Sequence, residues 1–82
     1  MVQVLYFAAL RELLGLSEET LEVPESVRTT VREFVQHLQR VRPALSGKMA
    51  SVRVALDETF AEDSELLAGA RTIALIPPVA GG

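Results

Sequence analysis

The sequence predicts one small α+β domain, in which a mixed sheet is covered by a single main helix. Three observations predict this class: short β-branched or aromatic runs near both ends of the chain, an amphipathic helix pattern in the middle, and turn-forming residues between them. With 82 residues, 49% of them hydrophobic, the chain lies near the lower size limit for independent folding. We therefore expect no second domain and no deep active site enclosed by this chain alone.

The first half of the chain predicts two strands and a short helix. In residues 2–7, Val2, Val4 and Tyr6 alternate with Gln3, Leu5 and Phe7, which favours a strand buried on at least one face. Residues 8–14 are strong helix formers, and Gly15 supplies the backbone freedom that a helix end requires. Residues 17–23 predict a second strand, which ends at Pro24 because proline cannot donate to a strand ladder.

The main helix is predicted between a capping box and a proline. Thr30 and Glu33 have the spacing of a capping box, and Pro43 ends the helix. Its apolar stripe comprises Val31, Phe34, Val35, Leu38 and Val41.

The second half of the chain predicts two further strands. Residues 43–48 form a connector, and residues 51–56 alternate as a third strand. Residues 57–59 interrupt this pattern, and residues 62–65 form an acidic turn. The last strand covers residues 71–76 and is apolar enough to be buried on both faces.

The first and last strands are the most apolar, so we expect them to be adjacent and central in the sheet. If they run parallel, the intervening elements must form a crossover between them. A mixed sheet of this kind with one helix packed across it is the β-grasp architecture. We assign residues 1–76 to this domain and residues 77–82 to an extended C-terminal tail.

Composition excludes several classes of function. Eight basic and 11 acidic residues give a net charge of −3, which does not suit a nucleic-acid-binding surface. The absence of cysteine removes disulfides, thiolate metal ligands and a sulfur nucleophile. No signal peptide or membrane-spanning run is evident, so a cytoplasmic location is expected.

No internal constellation of residues predicts an active site. His37 falls beside the apolar stripe of the main helix without a nucleophile to pair with, which predicts a solvated histidine. The acidic pairs Glu18–Glu19 and Asp57–Glu58 would point apart on a strand, so we interpret them as solvated loop residues and predict no metal site.

The tail of residues 77–82 is the one segment with evident chemical potential. Pro77 and Pro78 favour an extended exit that carries the last residues on the order of 20 Å from the sheet. Gly81 and Gly82 have no Cβ atoms, so a narrow channel can close around them. A terminal carboxylate is a poor electrophile until it is activated, and adenylation followed by attack of sulfur or an amine is the economical chemistry. An idle, frayed end is the alternative.

The chain resembles the small, sulfur-carrying subunit of molybdopterin synthase, the MoaD family. The likeness extends from end to end and rests above all on residues 73–82, IALIPPVAGG. The opening segment 4–8, VLYFA, also matches the family, as do residues 11–13 and Gly15. The sequence departs from the family pattern at Ala70–Arg71, where an acidic pair is common.

The resemblance implies a ubiquitin-like β-grasp protein that is not an enzyme by itself. It implies that a ubiquitin-activating-like adenylyltransferase uses ATP to adenylate the Gly82 carboxylate, which is then converted to a thiocarboxylate. The tail would enter the large synthase subunit, within a heterotetramer of two small and two large subunits, and donate sulfur to cyclic pyranopterin monophosphate. No stably bound cofactor and no nucleic-acid or membrane partner are implied.

The resemblance also implies a docking surface for partner proteins. Phe7, Phe60 and Ile76 occupy positions at which family members present apolar residues, and filling a small core is the alternative role for them. The tail residues Pro77, Pro78, Val79 and Ala80 complete the predicted contacts. Asp57 stands where asparagine is common in the family, so the resemblance does not identify which charged residues contact a partner.

Three alternative functions share the same tail. The chain is also compatible with a sulfur carrier for thiazole synthesis or tRNA thiolation, although Pro77–Pro78 favours molybdopterin. A ubiquitin-like modifier would pass the activated Gly82 to a lysine amine. A plain β-grasp interaction module would not use its terminus.

Overall fold

The structure is a computed structural model that describes residues 1–25 and 27–78. The predictions made for Val79, Ala80, Gly81 and Gly82 lie outside the described residues. The elements are β1 (Val2–Tyr6), α1 (Ala8–Leu14), β2 (Glu18–Leu21), α2 (Val31–Val41), a short 3-10 helix (Pro43–Leu45), β3 (Arg53–Leu56), β4 (Thr59–Ala61) and β5 (Thr72–Ile76).

The five described strands form one mixed sheet in the order β2-β1-β5-β3-β4. The central strands β1 and β5 are parallel, with Val4 opposite Ile73, and every other neighbouring pair is antiparallel. The predicted central pairing of the first and last strands is therefore confirmed. The parallel pair requires a crossover, and residues 7–71 supply it, including α2.

Helix α2 begins at the predicted capping box. The Thr30 hydroxyl accepts a hydrogen bond from the Glu33 backbone N–H at 3.1 Å, and the Glu33 carboxylate accepts one from the Thr30 N–H at 2.9 Å. These bonds satisfy two backbone donors at the helix start. The sequence analysis placed Val41 in the buried stripe, and this prediction is wrong. Val41 is 39% exposed, because it lies in the last turn of the helix next to the C-cap.

The core lies between α2 and one face of the sheet. Within α2 the buried side chains are Val31, Phe34 and Leu38. They cluster with inward-facing residues of the central strands, namely Val2, Val4, Tyr6, Ile73 and Leu75. α1 contributes the buried Leu10 to this core, and Leu14 packs against it partly buried. The helix is capped by Gly15, whose φ of 73° is the left-handed conformation that glycine adopts readily.

The sequence analysis did not predict strand β4. It predicted only an interruption at residues 57–59 and an acidic turn at residues 62–65. Asp57 and Glu58 have φ values of 46° and 72°, and they form a two-residue turn between β3 and β4. Positive φ at both central positions is what a type I′ hairpin turn requires. The predicted acidic turn follows β4, and the predicted connector at 43–48 contains the 3-10 helix.

The acidic pair Glu18–Glu19 is not a solvated loop as predicted, because both residues belong to β2. Their side chains do point apart: Glu18 accepts a hydrogen bond from Gln3, whereas Glu19 faces the helix side of the sheet. There Glu19 forms a two-point ion pair with Arg42 and accepts a hydrogen bond from the buried Tyr6 hydroxyl at 2.5 Å. The Arg42 hydrogen bonds hold the pKa of Glu19 below its usual value, and burial raises the pKa of Tyr6.

Candidate functional site

The sheet face opposite α2, here called the open face, is the candidate docking surface. Alternation places Ala74 and Ile76 of β5 on this face, because Ile73 and Leu75 point into the core. Leu5 and Ala55 lie directly beside Ala74 on the neighbouring strands. The centre of the open face is therefore apolar and built largely of small side chains.

Larger side chains surround the point at which β5 ends and the tail begins. Ile76 is paired with Arg53 across the sheet, and Phe60 is paired with Ala55 on the edge strand β4. The Phe7 backbone is extended and its N–H donates to the Leu75 carbonyl at 3.3 Å. The β1–β5 register therefore places Phe7 beside Ile76.

The predicted docking residues lie outside the core. Phe7 is 42% exposed and Phe60 is 51% exposed, while Ile76 is half-buried. Their alternative assignment to the core is therefore wrong for the two phenylalanines. Pro77 is half-buried and Pro78 is exposed, and both follow β5 outside any helix or strand.

Asp57 joins the hairpin turn to the beginning of β5, a contact that the sequence analysis missed. One carboxylate oxygen accepts hydrogen bonds from the backbone N–H groups of Thr72 at 2.9 Å and Arg71 at 3.0 Å. The Asp57 N–H in turn donates to the Thr72 carbonyl at 3.0 Å. The bond from the Thr72 N–H is the leading reason why the pKa of Asp57 lies below its ordinary value. Asp57 is therefore a structural residue that fixes the strand leading to the tail.

We predict that Asp57→Asn reduces the acid sensitivity of the fold. Because folding lowers the pKa of Asp57, its carboxylate contributes stability above an unfolded pKa of about 3.9, and that contribution is lost as the pH falls through the folded value. An asparagine oxygen accepts the same bonds without titrating, and asparagine tolerates positive φ. Urea unfolding at neutral pH and at about pH 3 should show a smaller loss of stability in this variant.

Glu58→Gln is the matched control, since it removes a carboxylate from the same turn. It should retain the acid sensitivity of the unsubstituted protein. Equal losses on acidification in the Asp57→Asn variant and the unsubstituted protein would contradict the assigned role of Asp57.

His37 and the acidic residues were considered in the sequence analysis as possible catalytic or metal-binding groups. His37 is half-buried on α2 and makes no side-chain hydrogen bond within ranges 1–25 and 27–78. Across the same ranges, no three His, Asp or Glu side chains lie close enough together to hold a metal ion. No helix in the described part of the chain has the length and hydrophobicity needed to cross a bilayer.

The order of the strands, the crossing helix and the last strand leading directly into the C-terminal segment define a ubiquitin-like β-grasp protein. A structure of small archaeal modifier protein 1 (SAMP1) from Haloferax volcanii has the same fold, with a TM-score of 0.83 and 26% identity, covering 99% of this chain and 98% of that one. The chain belongs to the ThiS family, whose model matches residues 4–82.

Relatives with a described function indicate which kind of ThiS-family protein this chain is similar to. The molybdopterin synthase sulfur carrier subunit of Mycobacterium tuberculosis is 37% identical over 82 residues, covering 99% of this chain and 96% of the relative. The protein of the same description from Chlamydomonas reinhardtii is 32% identical over 83 residues, covering 99% and 98%. The resemblance predicted from the sequence is therefore confirmed over essentially the whole chain.

Proposed function

We propose that this protein is the sulfur-carrier subunit of a molybdopterin synthase and that its working group is the Gly82 carboxylate. The observation that carries the proposal is the end-to-end similarity to molybdopterin synthase sulfur carrier subunits, within a family match that extends to Gly82. The absence of cysteine agrees with a carrier that receives its sulfur from elsewhere. In this proposal residues 1–76 form the folded domain and residues 77–82 the tail that delivers the reactive group.

The proposed reaction has two steps at the terminal carbonyl carbon. A Gly82 carboxylate oxygen attacks the α-phosphate of ATP in an activating adenylyltransferase, which gives an acyl adenylate and releases pyrophosphate. A sulfur nucleophile of the hydrosulfide class then forms the carbon–sulfur bond as the carbon–oxygen bond to AMP breaks and a proton is released. Activation is required because a free carboxylate resists attack by an anion.

The tail that carries the thiocarboxylate then enters the large synthase subunit in the proposed heterotetramer. There the thiocarboxylate supplies sulfur to cyclic pyranopterin monophosphate, and the Gly82 carboxylate is regenerated with an oxygen from water. ATP is consumed by the activating enzyme, so the carrier itself needs no resident cofactor. Its proposed part is to present the terminus, while the partners supply the catalytic pockets.

Reconstitution tests this proposal. The purified chain is incubated with the activating enzyme from the same genome, ATP and sulfide, and its intact mass is measured. We expect the increase produced by exchanging one oxygen for one sulfur, and we expect molybdopterin to form only when this product is mixed with the large subunit and its substrate. Sulfur loading without molybdopterin formation would favour thiazole or tRNA thiolation, whereas no loading by a demonstrably active enzyme would contradict the proposal.

The open face is the proposed docking surface for the large subunit. The exposed rings of Phe7 and Phe60 flank the start of the tail, so a partner that covers them can receive the tail in a defined direction. Aromatic side chains at the centre of an interface commonly carry much of the binding energy. Pro77 and Pro78, with Val79 and Ala80 in the predicted tail, are proposed to line the entry into the partner.

We predict that combining Phe7→Ala with Phe60→Ala weakens large-subunit binding by about 30-fold or more. Isothermal titration with the purified large subunit measures this effect. Leu66→Ala is the control, because Leu66 is also 50% exposed but is bridged to Thr30, outside the five strands. Unchanged affinity in the double variant would contradict docking through the open face.

Protein modification is a second candidate function, favoured by the structural similarity to small archaeal modifier protein 1. Here a lysine amine would displace AMP from the activated Gly82 and form an isopeptide bond. Adducts of higher mass that disappear when Gly82 is deleted would support conjugation. Their absence from cells in which the chain is thiocarboxylated would contradict it.

A further inference from the structure

Arg53 is a charged residue on the open face that lies beside the end of β5. It is paired across the sheet with Ile76, the last residue of β5, which immediately precedes Pro77. Its guanidinium carbon lies 3.9 Å from the centroid of the Phe60 ring. This is a cation–π contact, and it joins the positive charge to a residue of the proposed docking surface.

The hydrogen-bonding capacity of Arg53 is unused within the described residues. A guanidinium carries five N–H donors, all of which lie in its own plane. Within residues 1–25 and 27–78, Arg53 forms no ion pair and its side chain donates no hydrogen bond, whereas Arg42 is paired with Glu19. The open face thus offers a planar array of donors that lacks an acceptor among the described residues.

Docking changes the environment of this cation. A partner that covers Phe7 and Phe60 also removes water from Arg53, and a charge that loses water without gaining an acceptor opposes binding. A carboxylate in the guanidinium plane replaces the lost water with short, charge-assisted hydrogen bonds. The partner surface that complements this one is therefore an apolar depression with an acidic residue at its edge.

We propose that Arg53 is a specificity-determining residue of the docking surface and that it selects a large subunit presenting a carboxylate beside the apolar depression that receives Phe7 and Phe60. This inference rests on the proposed function, since it concerns the surface assigned to the large subunit. The carboxylate pairs with Arg53, and the Phe60 ring holds the guanidinium in place. A large subunit without that acidic residue binds weakly, and its misfit at Arg53 opposes entry of the tail.

Two substitutions at Arg53 separate its charge from its packing. Arg53→Met retains an unbranched apolar chain over Phe60 but removes the charge, and we expect it to weaken binding of the purified large subunit about tenfold. Arg53→Lys retains a cation that can lie over the ring, and we expect its affinity to stay within about threefold of the unsubstituted protein. The decrease in affinity between about 0.05 and 0.5 M salt should be smaller for Arg53→Met.

Arg40→Met is the matched control, because Arg40 is an exposed arginine on α2, which covers the other face of the sheet. It should bind the large subunit with unchanged affinity and salt dependence. If the unsubstituted chain binds and Arg53→Met binds within about twofold with the same salt dependence, the role of Arg53 is overturned and the proposed function stands. If the unsubstituted chain does not bind a large subunit that is active with another carrier, the proposed function fails, and this inference fails with it.

Discussion

A chain that lacks Gly82 is expected to fold normally and to carry no sulfur. The buried hydrophobic residues of the described structure all lie between Val2 and Leu75, so the deletion removes none of them. The shortened chain ends in the Gly81 carboxylate, which falls about 3.5 Å short of the position that the activating enzyme requires. Since misplacement by about 1 Å can cost 100-fold in rate, we expect thiocarboxylate formation to fall by at least about 1,000-fold. Intact-mass analysis over time measures the rate.

Gly82→Ala is the matched variant, because it keeps the length of the tail and adds only a Cβ atom. If reach and narrow cross-section both matter, this variant should react more slowly than the unsubstituted chain but faster than the deletion. Sulfur loading of the deletion at the normal rate would contradict the assignment of Gly82. Circular dichroism should give the same unfolding midpoint for all three proteins.

Phe34→Ala is expected to have the opposite effect: it destabilises the fold and leaves the terminal group intact. Phe34 is fully buried on α2 and belongs to the cluster that joins this helix to β1 and β5. Truncating a buried phenylalanine costs about 3 to 5 kcal/mol, a large part of the stability of a small domain. For a domain of this size the melting temperature should fall by on the order of 20 °C, as measured by thermal unfolding.

Phe60→Ala makes the same chemical change at a side chain that is 51% exposed on the open face. Its free energy of unfolding should change by less than about 1 kcal/mol, while its binding to the large subunit weakens. Equal destabilisation by the two substitutions would contradict the division between core and docking surface.

The strongly periodic elements were predictable from the sequence because local patterning and tertiary structure agree there. The central strands are apolar through most of their length, and α2 combines a capping box at Thr30 with buried residues at Val31, Phe34 and Leu38. These features were sufficient for the central parallel pairing and the β-grasp topology. They also placed the beginning of the tail next to the last strand.

Short elements were harder to predict because their local signals are weak. β4 has only three residues, and its hairpin turn consists of Asp57–Glu58 rather than a pair containing glycine. Asp-Glu is a weaker turn signal, although Asp57 tolerates a positive φ better than most residues. Without that turn, Phe60 has no predictable register, and its contact with Arg53 cannot be anticipated.

Interactions between distant residues were also beyond the reach of the sequence analysis. Glu19 and Arg42 are 23 positions apart, and their ion pair depends on how α2 crosses the sheet. The bonds from Arg71 and Thr72 to Asp57 depend on the pairing of β3 with β5. The sequence shows which residues carry a charge, but only the fold determines which of them form internal contacts and which face a partner.

The central claim is most directly tested by fragmenting the sulfur-loaded protein and measuring the mass of its C-terminal peptide. Our account predicts that the whole oxygen-for-sulfur increase resides on Gly82 and disappears after the protein has reacted with the large subunit and its pterin substrate. An unmodified Gly82 in protein treated with a demonstrably active activating enzyme, or sulfur attached to any other residue, would contradict it.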